Sequence, residues 1–346
     1  MTNLLLAALV LLAALPAGKA KPKRAPAPAV RPAAAAKLAV PRAVHRCAPY
    51  VGAVSANADT GEILFSDNAD REAYPASVTK LMTLLLVLED VRAGKYALDT
   101  MVTATPDVNR CEASWVGLKT GDTMTVNDLC LALMVESAND AAIALGVHAA
   151  GSFDAFIARM NARAAALGMR STTYYNPNGL PPNASKRYPW KSFNVTTAND
   201  QLKLALALLK LPEVLRFTSV KTCGLIRRPG GFRVEVTRRV NEPEHKVALG
   251  PGETLVKNLR NHNNIMNLDK LHVINPDGTE AVDGLKTGYI DAGGSSIVLT
   301  GKRKTLVKGR FVDRRVVVVV LGSDSAAMRD ENASRLLNDA LGALAW

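Results

Sequence analysis

Three short clusters of polar side chains have the types and spacing to act together on an acyl group. They are Ser77-Val78-Thr79-Lys80, Ser137-Ala138-Asn139 and Lys286-Thr287-Gly288. A serine hydroxyl is a weak nucleophile and needs a base beside it. On a helix, Ser77 and Lys80 share a face, which brings the amine to the hydroxyl. Lysine can be that base only where burial or a second cation lowers its pKa, and Lys286 is a candidate for that cation. A helix start at Ser77 also favours an anion formed there. The backbone N–H groups of Ser77 and of Tyr289, after Gly288, are candidates for an oxyanion hole. Gly288 would let its strand approach a substrate backbone closely.

Each cluster alone has an ordinary explanation. A lone S-x-x-K arises readily by chance, and a serine at a helix start is most often a cap. The chain even holds a second S-A-N, Ser55-Ala56-Asn57, and a second K-T-G, Lys119-Thr120-Gly121. The first closes a strand ahead of the Ser77 helix, and the second reads as turn and cap residues before a helix at 125. Only the set 77–80, 137–139 and 286–288 gives the order helix mouth, inter-helix loop, late strand.

The elements that must position these side chains follow from the hydrophobic pattern. Residues 50–56 and 62–65 read as short strands joined by the turn-rich Asn57-Ala58-Asp59-Thr60-Gly61. Residues 77–91 form a helix closed by Gly94, apolar on all faces and therefore central. Further helices are expected at 125–135, 139–150, 152–168 and 197–211, with Phe153, Phe156, Ile157, Met160, Ala164 and Leu167 on one face of the helix at 152–168. Residues 221–275 read as short strands and loops with a turn at Pro229-Gly230-Gly231. Strands at 295–301 and 311–321 precede a last helix at 325–344. Strands at both ends and helices between predict an α/β (α+β) fold: one sheet whose first and last strands are neighbours, packed against helices.

Composition narrows the function classes. The chain has 346 residues, 48% hydrophobic and 21% charged, enough for a sizeable core. Of the net charge of +12, residues 1–46 contribute eight Lys and Arg and no acid, while the remainder is close to balanced. The excess therefore lies on an N-terminal arm. With aromatics at 5%, no basic stripe interleaved with aromatics is present, and nucleic acid is not an expected partner. Leu4 to Leu15 is an unbroken run of Leu, Ala and Val, followed by Pro16, Gly18 and Ala20. Residues 1–20 are read as a secretory signal cleaved after Ala20, although no Lys or Arg precedes the run. Export to the periplasm or cell-envelope space follows, and membrane contact is expected only if the signal is retained as an anchor. Residues 21–45, rich in Pro, Ala and Lys, are a tether, and 46–346 the folded body. Cys47, Cys111, Cys130 and Cys223 allow three disulfide pairings, among which the sequence does not choose. None has metal-ligand spacing, and no cofactor is implied.

The motif set resembles that of the serine D-alanyl-D-alanine carboxypeptidases, the low-molecular-weight penicillin-binding proteins. The likeness extends beyond the triplets to YPASVTKLMT at 74–83, GDTMTVNDLCLALMVESANDAA at 121–142, YNPNGL at 175–180 and DGLKTGYIDAGG at 283–294. The resemblance implies the fold shared by transpeptidases and serine β-lactamases, with a five-stranded antiparallel sheet flanked by helices and a helical subdomain. It also implies roles. Ser77 attacks the penultimate D-alanine carbonyl of a peptidoglycan stem peptide, and Lys80 takes its proton. Ser137 relays a proton to the leaving amine, and Asn139 holds the substrate amide. Lys286 and Thr287 bind the terminal carboxylate, while the amides of Ser77 and Tyr289 stabilise the oxyanion. Water then frees the acyl group, and β-lactams acylate Ser77 with slow release. A D,D-endopeptidase acting on cross-links would use the same residues. A serine β-lactamase is disfavoured by the lack of an E-x-x-L-N signature between 140 and 285, and a wall-binding relative without catalysis by the presence of every motif side chain. Three departures stand out. Ile290 replaces a threonine common in relatives. The Ser137–Lys286 interval is long, with the extra residues expected within 215–280. The chain ends soon after its last helix, so the C-terminal β domain and terminal membrane helix of many relatives are not expected in it.

Overall fold

The computed structural model describes residues 46–110, 113–182, 192–268, 271, 273–307 and 310–344. The expected signal and tether at 1–45, and Cys111, lie outside them. The described residues belong to one unit, Val40–Trp346.

Strands β1 (Gly52–Asn57) and β2 (Ile63–Asp67) lead into a 3₁₀ turn (Ala76–Thr79) and helix α1 (Lys80–Arg92). Two short strands, β3 (Met101–Thr103) and β4 (Thr123–Thr125), precede α2 (Val126–Val135), α3 (Asn139–Ala150) and α4 (Phe153–Ala166). Next come α5 (Ala198–Leu209), α6 (Val214–Thr218), β5 (Val220–Arg228), β6 (Gly231–Arg239), β7 (Thr254–Arg260) and α7 (Asn264–Asn267). The chain closes with β8 (Val282–Ile290), β9 (Gly294–Val307), β10 (Arg310–Ser323) and α8 (Ala326–Ala343).

One sheet has the order β2-β1-β10-β9-β8 and is antiparallel throughout. Its first and last strands are neighbours, as the pattern predicted. The valine run of β10 shows why it lies at the centre. Val316, Val318 and Val320 join the core under α8, whereas Val317 and Val319 join the core under α1 and α5. A strand buried on both faces needs apolar residues at every position, not at alternate ones. α1 is buried along its length, from Leu81 to Leu88.

Within 215–280, where the extra residues were expected, β5, β6 and β7 join β3 and β4 in a second five-stranded sheet of order β3-β4-β6-β5-β7. Its β5–β6 hairpin turns at Pro229-Gly230, and α2 lies against β5, β6 and β7. The sheet joins distant segments: Thr123 of β4 pairs in parallel with Gly231 of β6, where any Cβ would collide with the Thr123 backbone.

Cys47, Cys130 and Cys223 are free thiols. No pairing among these three is made. The latter two are buried, which raises their pKa and keeps them protonated.

Candidate active site

Ser77 does not sit in an α-helix, as the spacing had suggested. It lies in the 3₁₀ turn that precedes α1. The difference brings the pair closer, because at three residues per turn positions i and i+3 eclipse. Lys80 Nζ lies 2.8 Å from Ser77 Oγ, and Lys80 is fully buried while Ser77 is half-buried. Ala76, just before the serine, holds a left-handed backbone with φ 49°, a conformation costly for a non-glycine residue. The neighbouring chain fixes it: a Cβ on Gly179 would come within 1.7 Å of the Ala76 carbonyl oxygen.

Lys80 Nζ also donates to Asn139 Oδ1 at 2.7 Å and to the Asn178 carbonyl at 2.8 Å. Asn139 therefore reaches the pair from the start of α3, and its Nδ2 donates to the Ala113 carbonyl. The Asn178 carbonyl belongs to the YNPNGL segment, where Asn176 Oδ1 accepts from the amides of Asn178 and Gly179. Asn194 Nδ2 ties that turn to α1 through Thr79 Oγ1 and the Asn176 carbonyl. Sequence reasoning quoted YNPNGL without giving it a part in the site.

Ser137 occupies the break between α2 and α3 with φ 60°. Its hydroxyl is buried and has no hydrogen-bond partner among the described residues. Such a group normally costs stability, so its persistence marks a position kept for another purpose. Two clamps hold the break. Asp140 accepts from the amides of Val116, Gly117 and Leu118. Glu136 meets Lys257 of β7 at 2.7 Å, and Lys257 also donates to the Trp115 carbonyl. The second sheet thus props the loop that carries Ser137.

β8 brings the third cluster alongside. A Cβ on Gly288 would lie 2.6 Å from the Pro75 carbonyl and 3.0 Å from Ser77 N, so only glycine lets this edge strand reach the serine. Lys286 and Thr287 are buried, and Tyr289 is exposed. Lys286 Nζ donates to the Thr287 carbonyl. Burial first, and the positive charge of Arg329 second, push its pKa down to about 7. Ile290 packs with Tyr74, Ala76 and Phe193 beneath the serine turn, which makes it structural.

His262, just before α7, escaped the sequence reading. It is solvent-exposed, yet nearby protein strips part of its hydration. With Lys286, Lys80, Arg329 and Lys257 around it, its pKa falls to about 4 and the ring stays neutral at ordinary pH. Its signal in the sequence was faint, a histidine between two asparagines. All three predicted clusters therefore converge, Ser77, Lys80 and Asn139 in direct contact and Gly288 against the serine amide. Among the described residues no group of His, Cys, Asp or Glu could hold a metal ion.

The sequence profile of the D-alanyl-D-alanine carboxypeptidases matches residues 50–228, more than half of the chain. The chain belongs to the D-alanyl-D-alanine carboxypeptidase family. It is 27% identical over 286 residues to D-alanyl-D-alanine carboxypeptidase DacF of Bacillus subtilis, covering 83% of this chain and 60% of that one. Among solved structures, the carboxypeptidase DacD of Francisella tularensis superposes with a TM-score of 0.68 at 27% identity, covering 89% of this chain and 74% of that one. A penicillin-binding protein of Listeria monocytogenes in its ampicillin-bound form gives 0.61 at 27% identity, covering 84% and 97%. The fold is that of the carboxypeptidase family. The chain spans about three fifths of the length of the curated relatives it matches.

Proposed function

We propose that the protein is a serine D-alanyl-D-alanine carboxypeptidase, exported to the cell envelope, that removes the terminal D-alanine from peptidoglycan stem pentapeptides. The observation that carries this reading is the contact of 2.8 Å between the buried Lys80 Nζ and the half-buried Ser77 Oγ, with Gly288 of the Lys286-Thr287-Gly288 strand set against the Ser77 amide.

With Lys80 neutral, the Ser77 hydroxyl donates to its amine, which takes the proton as Oγ attacks the penultimate D-alanine carbonyl. Asn139 and the Asn178 carbonyl fix the amine in place. The oxyanion settles between the amides of Ser77 and Tyr289, helped by the positive end of the turn and α1. The Ser137 hydroxyl, unpartnered among the described residues, passes its proton to the leaving D-alanine amine and regains one from the Lys80 ammonium formed in the first step. Lys286 and Thr287 receive the free carboxylate, whose arrival raises the Lys286 pKa again and keeps the ammonium charged. Asn139 holds the substrate amide, and water then hydrolyses the acyl-enzyme. Penicillins, which present the same bond, acylate Ser77 and leave slowly. No cofactor takes part.

The test is D-alanine release from a stem pentapeptide, with Ser77→Ala as control, beside mass spectrometry after brief exposure to penicillin. Release by the wild type alone, with the adduct on Ser77, supports the reading. An adduct elsewhere, or release by the control, overturns it. Cleavage of a cross-linked dimer in preference to the pentapeptide would make the enzyme an endopeptidase using the same residues. For the export arm, mass spectrometry of the mature chain should find its N-terminus at Lys21.

A further inference from the structure

β9 and β10 outrun the sheet to which they belong. β1 follows β10 only as far as the pair Asn57–Val316, and β8 follows β9 only to Val282–Gly301. Ala58 and Ala281 still bond Arg315 and Lys302 through the backbone, and from Arg303 to Arg314 the two strands pair with each other alone among the described residues, Phe311 with Leu306. At about 3.3 Å per residue the free part reaches some 16 Å past its neighbours.

Its composition is unlike that of the rest of the body. Residues 302–315 hold seven Lys and Arg and a single acid, Asp313. Arg315 is neutralised at the root by Asp283, through contacts of 2.6 and 2.8 Å. Asp313 meets Lys302 at 3.6 Å, with both side chains about half exposed. By register, Lys302, Lys304, Phe311 and Asp313 share one face, and Arg303, Arg310, Val312 and Arg314 the other. Towards the end of this basic ribbon stands Phe311, 75% exposed, the most exposed large apolar side chain among the described residues.

We propose that the end of this ribbon docks on an anionic phospholipid surface, with the Phe311 ring entering the headgroup–acyl boundary and the exposed Lys304 and Arg310 meeting lipid phosphates. The ribbon's net positive charge, with Lys304 and Arg310 exposed, suits an anionic surface met by its end. The exposed ring selects lipid over a soluble polyanion, because only an apolar phase rewards its burial. The ribbon lies outside the active-site machinery, so lipid docking stands whether or not the proposed carboxypeptidase activity does. It also adds a membrane contact to the one that a retained N-terminal anchor would make.

The test uses the full chain carrying Phe311→Trp, with the wild type and its three native tryptophans as background. Vesicles of phosphatidylglycerol and of phosphatidylcholine, each with brominated acyl chains, are added in turn. The expected result is quenching of the added indole by the anionic vesicles only, protection from aqueous iodide, and loss of both in high salt. Phe311→Ser should weaken partition into anionic vesicles about tenfold. Lys304→Glu with Arg310→Glu should abolish the preference for anionic lipid. Penicillin labelling of these variants at the wild-type rate would show that the fold is kept. Three results would overturn the proposal: an added indole that stays open to iodide while the protein is on the vesicles, vesicle binding indifferent to all these substitutions, or shielding of the ring by a second protein copy without lipid.

Discussion

The lysines that the two five-stranded sheets bring towards the site are treated in opposite ways. In the second sheet the cations are matched: Arg233 bonds Glu235 and Glu253, Lys221 bonds Glu280, and Lys257 bonds Glu136. In the first sheet Lys286 is buried at the edge strand, and among the described residues its ammonium meets only a backbone carbonyl. A matched pair near the surface gives modest support and asks nothing of a ligand. An unmatched buried cation is costly, and a carboxylate from outside relieves the cost. The first sheet is thus built to receive an anion and the second to hold the receiver in shape.

The largest expected effect lies at the serine turn. Ser77→Ala and Lys80→Ala should each lower acylation by fluorescent penicillin at least 1,000-fold, roughly the scale for removing a nucleophile or its base. Thermal unfolding should show both variants folded. Normal labelling of Lys80→Ala would break the assignment of the base.

Next comes the edge strand of the first sheet. Gly288→Ala puts a methyl against the Pro75 carbonyl and the Ser77 amide. Acylation should drop on the order of 100-fold, the scale of losing one oxyanion donor. Gly278→Ala, on an exposed turn, should leave acylation intact and test only local backbone strain.

The comparison is sharpened by two substitutions within the second sheet. Lys257→Met frees Glu136 beside Ser137 and should lower kcat about tenfold, with KM less affected, because a misplaced relay slows chemistry more than binding. Arg233→Met removes a stronger ion-pair cluster remote from the loop and should leave kcat unchanged. Equal effects on kcat would show that the sheet supports the fold alone.

pH dependence offers a subtler contrast. The Lys286 pKa falls from 10.5 to about 7 on folding, so between those values the unfolded chain binds more protons at this site. Stability must therefore rise with pH in that window. Below about pH 7 the cost of the buried ammonium is fully present. Lys286→Met should be more stable than wild type at pH 6, and the difference in Tm should shrink towards pH 10. The smallest effect is expected from thiol reagents, since Cys130 and Cys223 are buried and protonated. Activity should change little, and loss without unfolding would reveal an unassigned thiol role.

The site was legible where its members occupy element ends with local spacing. Ser77 and Lys80 are three apart, Ser137 and Asn139 flank a helix break, and Gly288 sits where a strand must come close. What escaped was contact made by backbone or by distant chain. The Asn178 carbonyl has no side-chain signature, and the influence of Arg329 on Lys286 exists only after α8 docks. In the fold, β10 from residue 311 onward and the apolar half of β9 were visible, but the end of β9 at 302–307 was not, because its run of Lys and Arg gives no alternation. The second sheet escaped as a unit for another reason. Its β6 alternates Phe232, Val234 and Val236 with charge, yet its partners β3 and β4 come from more than a hundred residues upstream.

The free ribbon of β9 and β10 has a further consequence. Beyond its root its outer edges have no neighbouring strand among the described residues, which makes them a template on which stray strands add and fibrils grow. A second copy approaching edge to edge would set one row of lysines and arginines against another. Like-charge repulsion therefore acts as a gatekeeper for solubility, and stripping the ribbon of its positive charge should leave the protein prone to aggregate.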